Sequence, residues 1–404
     1  MKKRLIYIGL FFWLLFSAQF VKAKTISIDS SDLGGTQFKN RIEIGNSDLS
    51  QNRITNHLSV GIMKGFLMPH HEDMQQMYAH IQGVQLQYLS TDLTWENNKK
   101  FKTGSIKYAQ RLGFVFSAID LGTNISGKAF SGGLLISTDL MGNKGNKIDW
   151  RSSLKLALGL GYLTQKYDAI TNSENRAIGS HINGYMQLGL SIEKNIYKNS
   201  MMFLEFGLAH FSNACWKFPN LGVNLSYFQV GIGYPLNSCP SIKNLDKQKQ
   251  LNQQLSFLPW RKSVSIRLGK KEIDLDDDRE FINGVLEFAL ENWISKRSNF
   301  RYAISYFHDR TYQFKKFDKM PNYSFAGTSE ITVSAGYETR FGRWGIITDF
   351  GIYLYKPDFK KKTAYFEGIG CSYAINSNYK AVVRLKANKT IADFAEFGLT
   401  YLFN

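Results

Sequence analysis

The chain has 404 residues, 44% hydrophobic and 14% aromatic, with 34 Gly against 7 Pro, a composition closer to a membrane β-barrel than to a helical bundle. The formal charge of +17 includes Lys2, Lys3, Arg4 and Lys22 of a removable leader, and the excess that remains fits either an anionic lipid or lipopolysaccharide surface or a generally basic soluble one. Three Cys are too few for a disulfide framework, and no phosphate-cradling Gly loop or nucleic-acid motif is present.

The first element in chain order is a secretory signal. Lys2, Lys3 and Arg4 precede an apolar run from Leu5 to Phe16, and Val21-Lys22-Ala23 offers small residues for cleavage, so residues 1–23 read as a signal peptide. The apolar run is short for a retained transmembrane helix, and no Cys near the junction suggests a lipid-modified amino terminus. Residues 24–56 form an extension. No later stretch approaches the roughly 20 apolar residues that a spanning helix needs, so insertion into a membrane must use strands. The expected location is the bacterial outer membrane.

Strand patterns recur from there on. Met202, Leu204, Phe206 and Leu208 alternate with Phe203, Glu205, Gly207 and Ala209, and similar alternation marks Met186–Ile192 and Phe397–Phe403. Apolar-out with polar-in is the transmembrane-barrel pattern, and Phe403, in phase with Tyr401, Leu399 and Phe397, resembles an outer-membrane assembly signal. Strands are expected near 57–67, 79–90, 111–120, 128–138, 151–162, 183–194, 200–212 and 222–234. A polar linker over 237–260 follows, then strands near 262–270, 282–294, 299–309, 329–340, 344–356, 364–374, 379–389 and 394–403. The fold class is all-β: an antiparallel, eight-stranded barrel over 57–236, with a further set of about eight strands over 261–404. That set forms either a second barrel or part of one larger barrel. Cys215 and Cys239 flank one strand and so lie at opposite ends of a wall, which argues against a bond between them.

The chemistry-bearing stretch is His210-Phe211-Ser212-Asn213-Ala214, continuing through Pro219-Asn220-Leu221-Gly222-Val223-Asn224. Residues two apart on a strand share a face, so the imidazole of His210 emerges beside the hydroxyl of Ser212. Both fall in register with Met202, Leu204, Phe206 and Leu208, and Asn224 falls in register with Phe228, Val230, Ile232 and Tyr234. All three groups are therefore expected on the lipid-facing side of the wall. With the amino terminus in the periplasm, the seventh strand runs outward and ends at the external interface, where an outer-leaflet acyl ester would be within reach. A polar pair in that stripe is costly unless it is interfacial or partnered. Interfacial capping of an apolar strand is the alternative reading of the same residues.

These residues, with Gly161–Asp168, Asn172, Glu174-Asn175 and Ala177–Asn183 upstream, resemble the signature of lipid A 3-O-deacylases of the PagL type and their acyloxyacyl-hydrolase-like branch, over roughly 57–236. The resemblance implies an eight-stranded outer-membrane barrel that removes an ester-linked acyl chain from lipid A, with Ser212 as nucleophile and His210 as general base. It implies an oxyanion and substrate region at Asn213, Ala214, Cys215 and Asn220. It implies lipid A or lipopolysaccharide as partner, and no cofactor or metal. One position departs from the family pattern: a Glu that orients the His is replaced by Asn224, whose carbonyl can accept from the imidazole but carries no charge. Asp168 and Glu174, in the preceding loop, are substitute carboxylates.

Weaker constellations remain. His70-His71-Glu72-Asp73 with His80 has metal-ligand residue types, and Asp274, Asp276, Asp277 and Asp278 form an acidic cluster expected in a loop. Ile182-Asn183-Gly184 is echoed by Ile282-Asn283-Gly284, each followed by a strand carrying a His, His210 or His308; the second copy lacks the serine. The expected activity is a carboxylic ester hydrolase acting on lipid A. A non-catalytic barrel, pore or structural, and an outer-membrane phospholipase are the alternatives.

Overall fold

The structure is a computed structural model that describes residues 55–90, 110–142, 150–196, 200–238, 260–275, 277–293, 298–312, 326–341, 343–357, 364–388 and 391–403. The expected signal peptide, nearly all of the expected extension, most of the polar linker and Cys239 lie outside the described residues.

Sixteen strands make up the described chain, and every neighbouring pair is antiparallel. The first eight are β1 (Thr55–Leu67), β2 (Ala79–Ser90), β3 (Gln110–Asp120), β4 (Lys128–Gly142), β5 (Trp150–Leu163), β6 (Ile182–Asn195), β7 (Met201–Ser212) and β8 (Val223–Ser238). They close on themselves through the pairing of β1 with β8. The second eight are β9 (Arg261–Asp274), β10 (Asp277–Trp293), β11 (Ser298–His308), β12 (Ser329–Phe341), β13 (Trp344–Tyr355), β14 (Tyr365–Ala374), β15 (Tyr379–Asn388) and β16 (Ile391–Leu402), closed by β16 on β9. The carboxyl half is thus a second barrel, not an extension of the first.

Period-two alternation puts each strand's two faces into different solvents. Along β7, Met202, Phe206 and Leu208 are exposed on the outside, while Phe203, Glu205, Ala209 and Phe211 are buried inside. A greasy exterior around a polar interior is the arrangement of a barrel that spans a membrane.

Closed rings of eight strands leave room only for side chains. In the first barrel Lys155 Nζ lies 3.0 Å from Glu205 Oε2, Tyr227 donates to Glu205 at 2.7 Å, and Gln85 donates to Gln187 at 2.8 Å. In the second, Arg267 bridges Glu287 and Glu396 at 2.9 and 2.6 Å, and Lys380 bridges Glu291 and Glu338 at 2.9 and 3.0 Å. Mutual pairing offsets the cost of burying these charges and also fills both lumens.

The β1–β2, β3–β4, β5–β6 and β7–β8 connections gather at one end of the first barrel. A short 3-10 helix, Glu72–Met77, lies in the first of them, and its Met74 and Met77 are buried in an apolar cluster with Leu67, Leu121, Ile178 and Phe211. His71 begins this helix, its side chain accepting from the Asp73 N–H at 3.3 Å.

Several strands run past their expected ends, β4 to Gly142 and β9 to Asp274 among them. β8 runs on to Ser238, into residues expected as linker, paired through a bulge at Asn56/His57 of β1. β10 begins at Asp277 instead of near 282, and Asp274 pairs with Asp277 across the hairpin, so these two acidic residues sit on strands. A register shift between Asp277 and Glu280 absorbs the charged stretch where alternation fails.

Candidate active site

The last turn of β7 carries His210 and Ser212 on the outer face, in line with Leu208 and Phe206. Pairing decides their neighbours. On one side His210 stands opposite Asn224 of β8; on the other, Ser212 stands opposite Gly184 of β6. A Cβ at Gly184 would meet only the Ser212 carbonyl, at 3.3 Å, so the wall beside the hydroxyl is open.

Asn224 lies in a continuous line of hydrogen bonds. His210 Nδ1 is 2.6 Å from Asn224 Oδ1, Asn224 Nδ2 is 2.9 Å from His70 Nδ1, and His70 Nε2 is 2.8 Å from the Leu221 carbonyl. The protons follow from the far end. A carbonyl only accepts, so His70 is protonated at Nε2 and its Nδ1 accepts from the Asn224 amide. That turns Oδ1 of Asn224 toward His210, whose Nδ1–H donates, leaving His210 Nε2 with a free lone pair. The expected carboxylate substitutes do not take part. Asp168 accepts from the backbone N–H groups of Thr171 (2.8 Å) and Ile170 (3.0 Å), which hold its pKa below the usual value, and it closes its own exposed turn. Glu174 is exposed on the same loop.

Ser212 is not hydrogen-bonded to His210 here. Its hydroxyl donates to Asn220 Oδ1 at 3.1 Å, and the same oxygen accepts the Asn213 N–H at 2.9 Å. Asn220 therefore ties the β7–β8 loop to the end of the strand. The Ala214 N–H points at Ser212 Oγ, 3.3 Å away, and is a backbone donor beside the hydroxyl. Asn213 is buried, its amide donating to Ser180 Oγ at 3.0 Å and to the Lys217 carbonyl at 2.7 Å. Ala214 and Cys215 both adopt left-handed backbone, φ 56 and 62, which costs side-chain-bearing residues about 1–3 kcal/mol each unless the surroundings enforce it. Cys215 forms no disulfide.

Gly222 closes the loop at φ +82, and a Cβ there would come within 2.6 Å of His210 Cε1. Only glycine satisfies both the backbone and the space the imidazole needs.

His70 is the residue that sequence reasoning did not bring to the site. The pattern His70-His71-Glu72-Asp73 with His80 has metal-ligand types, yet the three imidazoles go to separate partners: His70 to Asn224, His71 to the 3-10 helix, and His80 against the Phe66 ring at 4.8 Å. No local spacing signals the contact with Asn224, 154 residues away. The echoed hairpin of the second barrel also reads differently in three dimensions. His308 stands opposite Gly284, the register position that Ser212 holds opposite Gly184, so it does not correspond to His210.

The model of the lipid A 3-O-deacylase (PagL) family matches residues 83–233, and that of the acyloxyacyl hydrolase C-terminal domain matches residues 260–404. No curated protein matches the sequence. Among solved structures, the outer-membrane enzyme PagL is 14% identical with a TM-score of 0.30, over 43% of this chain and 97% of its own. A triple-mutant porin of Rhodopseudomonas blastica is 6% identical with a TM-score of 0.16, over 87% of this chain and 99% of its own. One family model matches within each barrel: the first barrel is similar to the lipid A 3-O-deacylase (PagL) family and the second to the acyloxyacyl hydrolase C-terminal domain.

Proposed function

We propose that this outer-membrane protein is a serine esterase that removes an ester-linked acyl chain from lipid A, with Ser212 as nucleophile and His210 as base. The observation that carries the reading is the line Leu221–His70–Asn224–His210, which leaves a lone pair on His210 Nε2 two residues from Ser212, on the lipid-facing wall. It also answers the missing carboxylate. In serine proteases an Asn in place of the triad Asp costs roughly 10⁴ in turnover through the wrong tautomer. Here His70 fixes the amide so that the productive tautomer is the one favoured.

Ser212 first turns its hydroxyl from Asn220 toward His210; catalytic hydrogen bonds often form only once substrate is bound. Ser212 Oγ then attacks the ester carbonyl while His210 Nε2 takes its proton. The tetrahedral oxyanion forms beside the Ala214 N–H, and the C–O bond to the sugar breaks as His210 returns the proton to the departing alkoxide. Water, deprotonated by His210, then attacks the acyl-serine and releases the fatty acid and Ser212. The substrate reaches the site laterally, because the site opens on the outer wall at the outward end of β7, read as the external face with the amino terminus in the periplasm. Lys166 and Arg176 in the β5–β6 loop suit the anionic headgroup.

Mass spectrometry of lipid A from cells expressing intact protein or Ser212→Ala tests this. Loss of one acyl chain only with intact Ser212 is expected; identical spectra defeat the reading, and a change confined to phospholipids would make the protein a phospholipase.

A further inference from the structure

Glu272 stands in an improbable place. It continues the outward stripe of β9 after Ile266, Leu268 and Lys270, whose side chains are exposed, yet Glu272 itself is 2% exposed. A buried carboxylate on the apolar outer wall of a membrane barrel is costly without partners. Its partners come from the first barrel's β7–β8 loop.

Phe218 N–H donates to Glu272 Oε2 at 2.6 Å, the Glu272 N–H donates back to the Cys215 carbonyl at 3.3 Å, and Lys217 pairs with Glu272 and reaches Glu280 at 3.6 Å. The hydrogen bond to Glu272 pushes the Lys217 ammonium above its usual pKa. At the other flank Cys215 Sγ lies 3.2 Å from the Ala392 carbonyl of β16. The second barrel thus grips residues 215–218 from three strands, β9, β10 and β16. The gripped segment lies between Ala214, whose N–H faces Ser212, and Asn220, whose amide oxygen holds Ser212 and Asn213. It includes one of the two left-handed residues, and abuts the other, which need external restraint to persist.

We propose that the second barrel is a working part of the first barrel's active site, with Glu272 the positioning residue that holds the oxyanion loop in its reactive conformation. This rests on the esterase reading above. Glu272 touches neither substrate nor nucleophile; it acts through the Cys215 carbonyl and the Phe218 amide. Its loss releases the Ala214 N–H from alignment, and a misplacement of about 1 Å at such a donor costs up to roughly 10²-fold in rate.

The test uses full-length protein in detergent with purified lipopolysaccharide, following fatty-acid release for wild type, Ser212→Ala, Glu272→Ala and Glu272→Gln. In a background with Cys239 and Cys371 replaced by Ala, maleimide labelling of Cys215 reports the loop independently of catalysis. For Glu272→Ala, kcat is expected to fall by roughly 10–10²-fold with KM little changed, and Cys215 labelling to accelerate. Glu272→Gln keeps an acceptor for Phe218 N–H and is expected to fall between this variant and wild type; being isosteric, it also guards against a folding defect. An active wild type with unchanged kcat in both Glu272 variants overturns the proposal. Should wild type release no fatty acid, the esterase reading fails instead, and an unchanged Cys215 labelling rate in Glu272→Ala then overturns the grip as well.

Discussion

Asn224 is a neutral residue where the resemblance to PagL-type deacylases implies a carboxylate, and in the proposed mechanism the imidazole behind it makes it serviceable. An amide can present either end to His210. With His70 Nε2–H committed to the Leu221 carbonyl, only the orientation with Oδ1 toward His210 satisfies every polar atom in the line. Removing His70 frees the amide to turn, so His70→Ala is expected to lower kcat by roughly 10–10²-fold, within the ~10⁴ that a wrong tautomer costs a serine protease. Because His70 acts through Asn224, the double variant His70→Ala/Asn224→Ala should be no worse than Asn224→Ala alone; additive losses in that cycle would show that the two act separately. The face shared by His210, Ser212 and Asn224 was legible in the sequence, since side chains on a strand alternate with a fixed period. His70 was not, because it reaches the site through a loop, where no period applies.

At the scale of elements, alternation was enough to find all sixteen strands, and its misses lie at strand ends and in the short helix after β1. The charged stretch Asp277–Glu280 has no apolar phase to follow, and pairing with β9 made it strand nonetheless. The 3-10 helix after β1 is the element that most directly serves the site. Its buried Met74 and Met77 anchor it in the apolar cluster that closes the barrel end, and His70 lies just ahead of it. Met74→Ala leaves a cavity there and is expected to cost about 2–5 kcal/mol, seen as a lower urea midpoint for unfolding with an unchanged slope. A midpoint equal to wild type would mean that the cluster collapses around the gap. Met74 and Met77, three apart, are the sequence trace of this element, but so short a run carries no reliable helical signal.

At the scale of the whole molecule, two closed rings of eight replace the alternative of one ring of about sixteen, and the difference is functional. A wide ring leaves an aqueous channel, whereas here Glu205, Glu287 and their partners occupy the lumens in hydrogen-bonded networks. Reconstituted into planar bilayers, the protein is expected to show no stepwise ion conductance; porin-like steps would contradict the filled lumens and revive a pore function.

What the sequence determined by itself was everything governed by local periodicity: the antiparallel strands, their inverted polarity, and the outward face shared by His210, Ser212 and Asn224. The choice of where each ring closes depends on which strands pair across the whole chain, β1 with β8 and β9 with β16, and alternation is the same for either closure. The orientation of Asn224 by His70 and the grip of Glu272 on the β7–β8 loop were decided at the same level. Both join residues far apart in sequence, 154 positions in one case and 54 in the other, whose proximity exists only once the barrels have closed and docked.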